Sequence, residues 1–178
     1  MLLAKFIFQT ILGWSIKGQF YKAIPKTVVI VFPHTSWHDF FVGVFTRNII
    51  KVPISFVGKK ELFDSPLGWY FKWMGGVPIE RSSKQNKVEQ IVNMFHSKEE
   101  FHLSIAPEGT RKKVEKWKSG FYYIAQDAKV PITAVAFDYP SKTVKISEPF
   151  YTTGDYEKDL KELQKFYVGV VGKVAEYT

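Results

Sequence analysis

The order of apolar and polar positions predicts strands alternating with helices. Thr27–Phe32 is a short β-branched run that reads as a buried strand closed by Pro33. Asp39–Ile50 carries Phe40, Phe41, Val44 and Phe45 as an apolar stripe, which predicts a helix with Asp39 in its first turn. A second strand is expected over Pro53–Val57, two helical pieces broken around Pro66 over Lys59–Met74, and a brief strand over Val77–Ile79. Lys84–Ser97 places Val88, Ile91, Val92 and Phe95 at i, i+3, i+4 and i+7, the spacing of an amphipathic helix. A strand over His102–Ala106, a helix over Ser119–Ala128 and strands over Val130–Phe137 and Thr143–Ile146 follow. A last helix is expected over Tyr156–Tyr177, with Leu160, Leu163, Tyr167, Val170, Val171 and Val174 along one side. Strands separated by helices, without repeats or a Gly/Ser/Pro-rich linker, predict a single-domain α/β sandwich. Its sheet should be mostly parallel or mixed and flanked by helices.

Ahead of that domain, assigned to residues 23–178, residues 1–22 read as an amphipathic helix. Leu3, Ile7, Ile11 and Trp14 share a face, with Leu2 and Phe6 beside it. Two destinations fit: the domain's own core, or the interface of a membrane. A spanning helix needs about 20 apolar residues. The longest uncharged apolar-rich stretch, Phe6–Ile16, is shorter and contains Gln9, Thr10 and Ser15. No basic segment precedes Leu2-Leu3 and no small-residue cleavage site follows, so a cleaved signal peptide is not expected.

Composition narrows the function classes. The 178 residues include no cysteine, which excludes disulfides, a thiol nucleophile and cysteine-ligated zinc. Aromatic residues make up 17%, and 25 Lys and Arg face 17 Asp and Glu. Through Lys60 the only acid is Asp39 against eight bases, a net +7 out of the chain's +8. A basic, aromatic N-terminal third suits an anionic membrane surface. No zinc-finger spacing, helix-turn-helix or RNA-recognition motif is visible, so nucleic acid is not expected as a partner.

Two polar loops follow predicted strands, where α/β folds collect their sites. In Pro33–Asp39, the turn can return the Asp39 carboxylate to one nitrogen of His34. That orients the ring and favours the imidazolium formed when the other nitrogen takes a proton. The alternative is a helix-capping Asp39 beside an ordinary turn histidine. Ser36 is a possible nucleophile but lacks the Gly-x-Ser-x-Gly elbow. His38 reads as a surface residue, and His34, His38 and Asp39 do not match a known metal-binding spacing, so no metal is expected. In the second loop, Ala106–Arg111, Pro107 and Gly109 set a turn whose backbone amides lie beside Thr110 and Arg111, a combination suited to an anion. Arg81, after another predicted strand, is a second cation that could clamp a phosphate.

Together these segments resemble the glycerolipid acyltransferase family, the lysophosphatidic-acid and glycerol-3-phosphate acyltransferases. Its four blocks occur in order: His34 to Asp39 (His-x4-Asp), Gly76 to Arg81, Pro107 to Arg111 (Pro-Glu-Gly-Thr-Arg) and Val130 to Ile132. Gly58–Leu62 and Trp117–Phe121 look like its connecting segments, and the likeness covers roughly residues 28–137. The resemblance implies a glycerol-3-phosphate acyltransferase-like fold and acyl transfer from acyl-CoA or acyl-carrier protein to a lysophospholipid hydroxyl, 1-acylglycerol-3-phosphate first. His34 would be the general base, held by Asp39, with no acyl-enzyme and no cofactor beyond the thioester co-substrate. Arg81, Glu108, Gly109, Thr110 and Arg111 would hold the acceptor and its phosphate, with Lys60 and Ser36 as additional candidates. Backbone amides near the His34 loop are candidates for the oxyanion. Pro78, Glu80, Ala106 and Thr133-Ala134 depart from the common pattern, as in a compact bacterial branch. The expected location is cytoplasmic and peripheral, on the inner face of the membrane. Alternatives are the same chemistry on a lyso-aminolipid or another alcohol, a hydrolase, and a non-catalytic lipid-binding module.

Overall fold

The computed structural model describes residues 2–79 and 87–178. Their strands form one seven-stranded sheet in the order β1-β7-β6-β2-β5-β3-β4. The strands are β1 (Ser15–Lys17), β2 (Lys26–Phe32), β3 (Ile54–Lys59), β4 (Gly76–Ile79), β5 (Phe101–Ile105), β6 (Ile132–Asp138) and β7 (Thr143–Phe150). Every neighbouring pair is parallel except β6 and β7. The α/β sandwich expected from the apolar pattern is the architecture found.

Strand alternation divides the core between the sheet's two faces. Val28 and Ile30 of β2, with Ile132, Ala134 and Ala136 of β6, point to one face. They pack there against α5 (Lys87–Ser97), α6 (Gly120–Ala128) and Leu163 of α7 (Tyr156–Lys165). Val29, Val135 and Phe137 point to the other face, where Val42 of α2 (His38–Ile50) meets Phe8 and Trp14 from the N-terminal segment. Asp155 caps α7 by accepting from the Lys158 amide at 3.1 Å, satisfying one of the helix's free donors.

Two expected helices are shorter than the apolar pattern suggested. Over residues 1–22, α1 (Leu2–Phe6) runs into a π-helical turn (Ile7–Ile11) and stops, because Gly13 turns the chain at φ +72°. Ser15–Lys17 then joins the sheet beside β7. Gly18 closes that strand at φ +90°, and a Cβ there would fall 2.0 Å from the Ile146 carbonyl oxygen, so only glycine fits. At the other end α7 stops at Lys165 instead of continuing to Tyr177. Successive three-back hydrogen bonds and Gly169, at φ +75°, coil the chain so that Tyr167 and Val170 are still buried. The apolar spacing there reported burial correctly but not helix. The pieces broken around Pro66 are α3 (Lys60–Asp64) and α4 (Gly68–Trp73).

Candidate active site

Three adjacent parallel strands, β5, β2 and β6, end on the same side of the sheet. Each releases a chemically useful side chain there: Glu108 and Arg111 after β5, His34 after β2, and Tyr139 after β6. Loops separated by more than a hundred residues therefore converge for a topological reason.

His34 and Asp39 are in contact, with Nδ1 3.1 Å from Oδ2. The carboxylate side chain is 2% exposed and the imidazole 25% exposed, so a held acid backs a ring that solvent and substrate can reach. Asp39 Oδ2 also accepts from the Ser36 amide at 2.9 Å, and Oδ1 accepts from the Tyr139 hydroxyl at 2.7 Å. Burial, together with the adjacent carboxylate, holds the Tyr139 phenol well above its ordinary range, so it remains the donor. The C-terminal segment braces the loop from behind: the Val174 amide donates to Thr35 Oγ1 at 3.1 Å, and the Tyr139 amide donates to the Val171 carbonyl at 3.0 Å.

Glu108 is buried, and both its oxygens receive the His34 backbone N–H, at 3.2 and 3.0 Å. Burial pushes its carboxyl up to about 7, with the His34 amide and ring opposing that shift and Asp39 adding to it. Gly109 takes φ +64°, and the Lys118 side chain lies where a Cβ would be. The Thr110 hydroxyl accepts from the Lys112 amide at 3.3 Å. Arg111 is exposed and extends its Nε to 3.5 Å from His34 Nε2, a long contact that sets a cation beside the nitrogen facing away from Asp39.

Ser36, a candidate nucleophile, has its hydroxyl 2.9 Å from His38 Nδ1 and accepts from the His38 amide at 3.3 Å. It braces the turn and lies behind the dyad. Lys60 opens α3 directly after β3. Arg81 falls outside the described residues. Two of the loop amides considered for an oxyanion, those of His34 and Ser36, are already donated to Glu108 and Asp39.

Beside His34 opens a cavity of about 610 Å³, lined mainly by apolar side chains of α2 and of the sheet face beneath it. Trp37, Phe41 and Leu62 rim it, and Val31 and Phe137 line its sheet side. Lining residues run along α2 from its N-terminus to Ile50, roughly 20 Å at helical rise. At the far end Arg47, pulled below its ordinary range by burial, donates from Nη1 to the carbonyls of Met74 at 2.6 Å and Ile54 at 3.0 Å. It separates this cavity from a second one beyond it.

The sequence reading missed Tyr139 and the C-terminal brace. Tyr139 sits in a Tyr-Pro turn just beyond a predicted strand, a position that signals a post-strand loop but no partner.

The chain is similar to known acyltransferases. BAT2, a chloroplastic 1-acyl-sn-glycerol-3-phosphate acyltransferase of Brassica napus, is 27% identical over 107 residues, 57% of this chain and 31% of its own. A lyso-ornithine lipid O-acyltransferase of Rhodobacter capsulatus is 32% identical over 100 residues, 56% of this chain and 33% of its own. A 1-acyl-sn-glycerol-3-phosphate acyltransferase of Saccharomyces cerevisiae is 27% identical over 127 residues, 67% of this chain and 41% of its own. The chain thus matches well under half the length of each of these relatives. No solved structure matches. The Acyltransferase family model matches residues 16–138, from β1 to the end of β6, and therefore spans both polar loops and the strands that carry them; the chain belongs to the Acyltransferase family.

Proposed function

We propose that the protein transfers a fatty acyl group from a thioester to the hydroxyl of a lysolipid. The observation that carries this reading is the His34–Asp39 pair at 3.1 Å, whose free nitrogen faces Arg111 at the mouth of a long apolar cavity. His34 Nε2 takes the proton as the acceptor oxygen forms a bond to the thioester carbonyl carbon. The C–S bond then breaks, and the imidazolium returns the proton to the thiolate, leaving ester and free thiol. Asp39 stabilises the imidazolium in between. The cavity along α2 suits an acyl chain in its size and apolar lining. Arg111 is suited to the acceptor's phosphate. Arg81 and Lys60 are further proposed cations for that phosphate. Glu108 holds the backbone of the base's own loop, a positioning role in place of direct contact with the acceptor. Thr110 and Gly109 shape the turn that presents Arg111.

The lyso-ornithine lipid relative supports a second reading, in which the acceptor lacks the glycerol phosphate. One assay separates them: thiol release from acyl-CoA and from acyl-carrier protein across lysophosphatidic acid, other lysophospholipids and lyso-ornithine lipid. Wild type should release thiol only with its acceptor present, and His34→Ala should lose about 10²- to 10⁴-fold in rate. Release without any acceptor would mean hydrolysis. Full activity of His34→Ala would reject the base assignment.

The proposed location is peripheral, on an anionic, cytoplasm-facing bilayer surface. Among the described residues, no helix is long and apolar enough to cross a membrane. Twelve of the fifteen large hydrophobic side chains that are exposed among the described residues lie between Leu2 and Trp73, in the same part of the chain as the excess positive charge. They include Trp37 and Phe41 at the cavity rim and Trp69 and Trp73 on α4. Exposed aromatics combined with basic residues favour the headgroup region.

A further inference from the structure

We propose that Tyr139 is a positioning residue for the base, holding the Asp39 carboxylate so that Oδ2 stays on His34. This rests on the assignment of His34 as base.

Asp39 is buried and carries a full set of donors: the Ser36 amide and the His34 ring on Oδ2, and the Tyr139 hydroxyl on Oδ1. Without the phenol, Oδ1 loses the donor that fixes the carboxylate plane. A buried acceptor left without a partner is costly, and the cheapest relief is rotation of the carboxylate. Rotation would displace Oδ2 from His34, and an imidazole no longer held is a slower base. At 2.7 Å the phenol–carboxylate contact has the short length of a charge-assisted hydrogen bond.

The ring that supplies this hydroxyl is itself held on several sides. The Trp14 indole meets it edge-on with centroids 5.0 Å apart, and the Lys173 ammonium lies 5.7 Å from its centroid. Its backbone amide is tied to Val171. Tyr139 also follows β6, the strand hydrogen-bonded to β2, which delivers His34. So the N-terminal segment, the C-terminal segment and the central sheet all fix one phenol, and that phenol fixes Asp39. The charged groups around the pair are Glu108 and Arg111 on the His34 side and Lys173 on the Tyr139 side, while Asp138 next in sequence pairs with Lys145 at 3.6 Å.

The test uses the full chain and compares Tyr139→Phe, which keeps the ring and its packing, with Trp14→Leu, which loosens the packing and keeps the hydroxyl. NMR titration of the His34 ring, assigned by its disappearance in His34→Gln, reads positioning without any substrate. Without the phenol the carboxylate rotates and Oδ2 leaves His34 Nδ1, so the imidazolium loses its partner and the His34 midpoint should fall by about half a unit, threefold in the equilibrium constant. Trp14→Leu, which keeps the hydroxyl donor, should move it less than Tyr139→Phe does while lowering thermal stability more. With substrates, Tyr139→Phe should lower kcat about tenfold with KM unchanged, and move the acidic limb of the pH–rate profile to lower pH. An unmoved His34 midpoint in Tyr139→Phe overturns the proposal. A moved midpoint in a protein whose acyl transfer survives His34→Ala would overturn the base assignment and leave the positioning intact.

Discussion

His34 is 25% exposed at its side chain, yet it is held at its ring and at its backbone by buried carboxyl groups. Glu108 and Asp39 divide that work, and their surroundings set them apart. Asp39 has three donors and remains the partner of the imidazole. Burial outweighs what the His34 amide and ring offer Glu108, and Asp39 adds to the shift, which is why its carboxyl is pushed up to about 7. The sign of the stability effect follows. Between about pH 4.5 and pH 7 the folded chain binds a proton at Glu108 that the unfolded chain releases, so folding is favoured at low pH. That advantage is lost as pH rises through this window, by roughly 3 kcal/mol in total. Glu108→Gln keeps an amide oxygen for the His34 N–H and does not titrate. Its melting temperature should therefore fall less than that of wild type between pH 5 and pH 8, as followed by thermal scans. Equal slopes in the two proteins would remove Glu108 from the pH dependence.

At the scale of elements, α2 and α4 divide inner and outer tasks. Val42 of α2 packs on the sheet and Phe40 and Val44 line the cavity, while Phe41 is exposed at its rim. The short α4 exposes Trp69 at 69% and Trp73 at 74%, more than a monomeric surface usually tolerates without a use. Substituting glutamate at both positions should leave the fold intact, because neither side chain is in the core. Flotation with phosphatidylcholine vesicles containing anionic phosphatidylglycerol should show binding weakened at least ~10-fold, equivalent to about 1.4 kcal/mol. Glutamates at Tyr123 and Tyr151, which lie outside this segment, provide the control and should not alter binding. Unchanged binding of the Trp69/Trp73 variant would return the membrane contact to α1, whose Leu2, Leu3 and Phe6 are also exposed.

At the scale of the whole molecule, the N-terminal segment packs part of its apolar set on the domain's own core and leaves the rest exposed. Leu3, Phe6 and Ile11 are exposed, while Phe8 is fully buried and Trp14 nearly so. Phe8 stacks on Phe45 of α2 at 5.6 Å and on Trp14 at 5.8 Å. The segment is therefore part of the fold that supports the site, through Trp14 and Tyr139. Phe8→Ala should cost about 3–5 kcal/mol, the usual loss for a buried phenylalanine, read by urea unfolding. A loss below about 1 kcal/mol would mean that the segment packs only loosely on the domain.

The alternation of strands and helices, the burial of the Thr27–Phe32 strand, and the His34 and Pro107–Arg111 loops were legible in the sequence. These are local properties: apolar periodicity reports which side of an element is buried, and Pro, Gly and polar residues after a strand report a loop. Tertiary structure decided which distant groups meet. The order β5-β2-β6 brings Glu108 to the His34 amide and Tyr139 to Asp39. Neither pairing has a sequence spacing to reveal it, because strand order is set by how whole elements pack. It also decided that Ser15–Lys17 is a strand and that the apolar positions after Lys165 are buried without a helix. An apolar stripe records burial, but the hydrogen bonds that define a helix or a strand depend on glycine turns and on the backbone available to pair with.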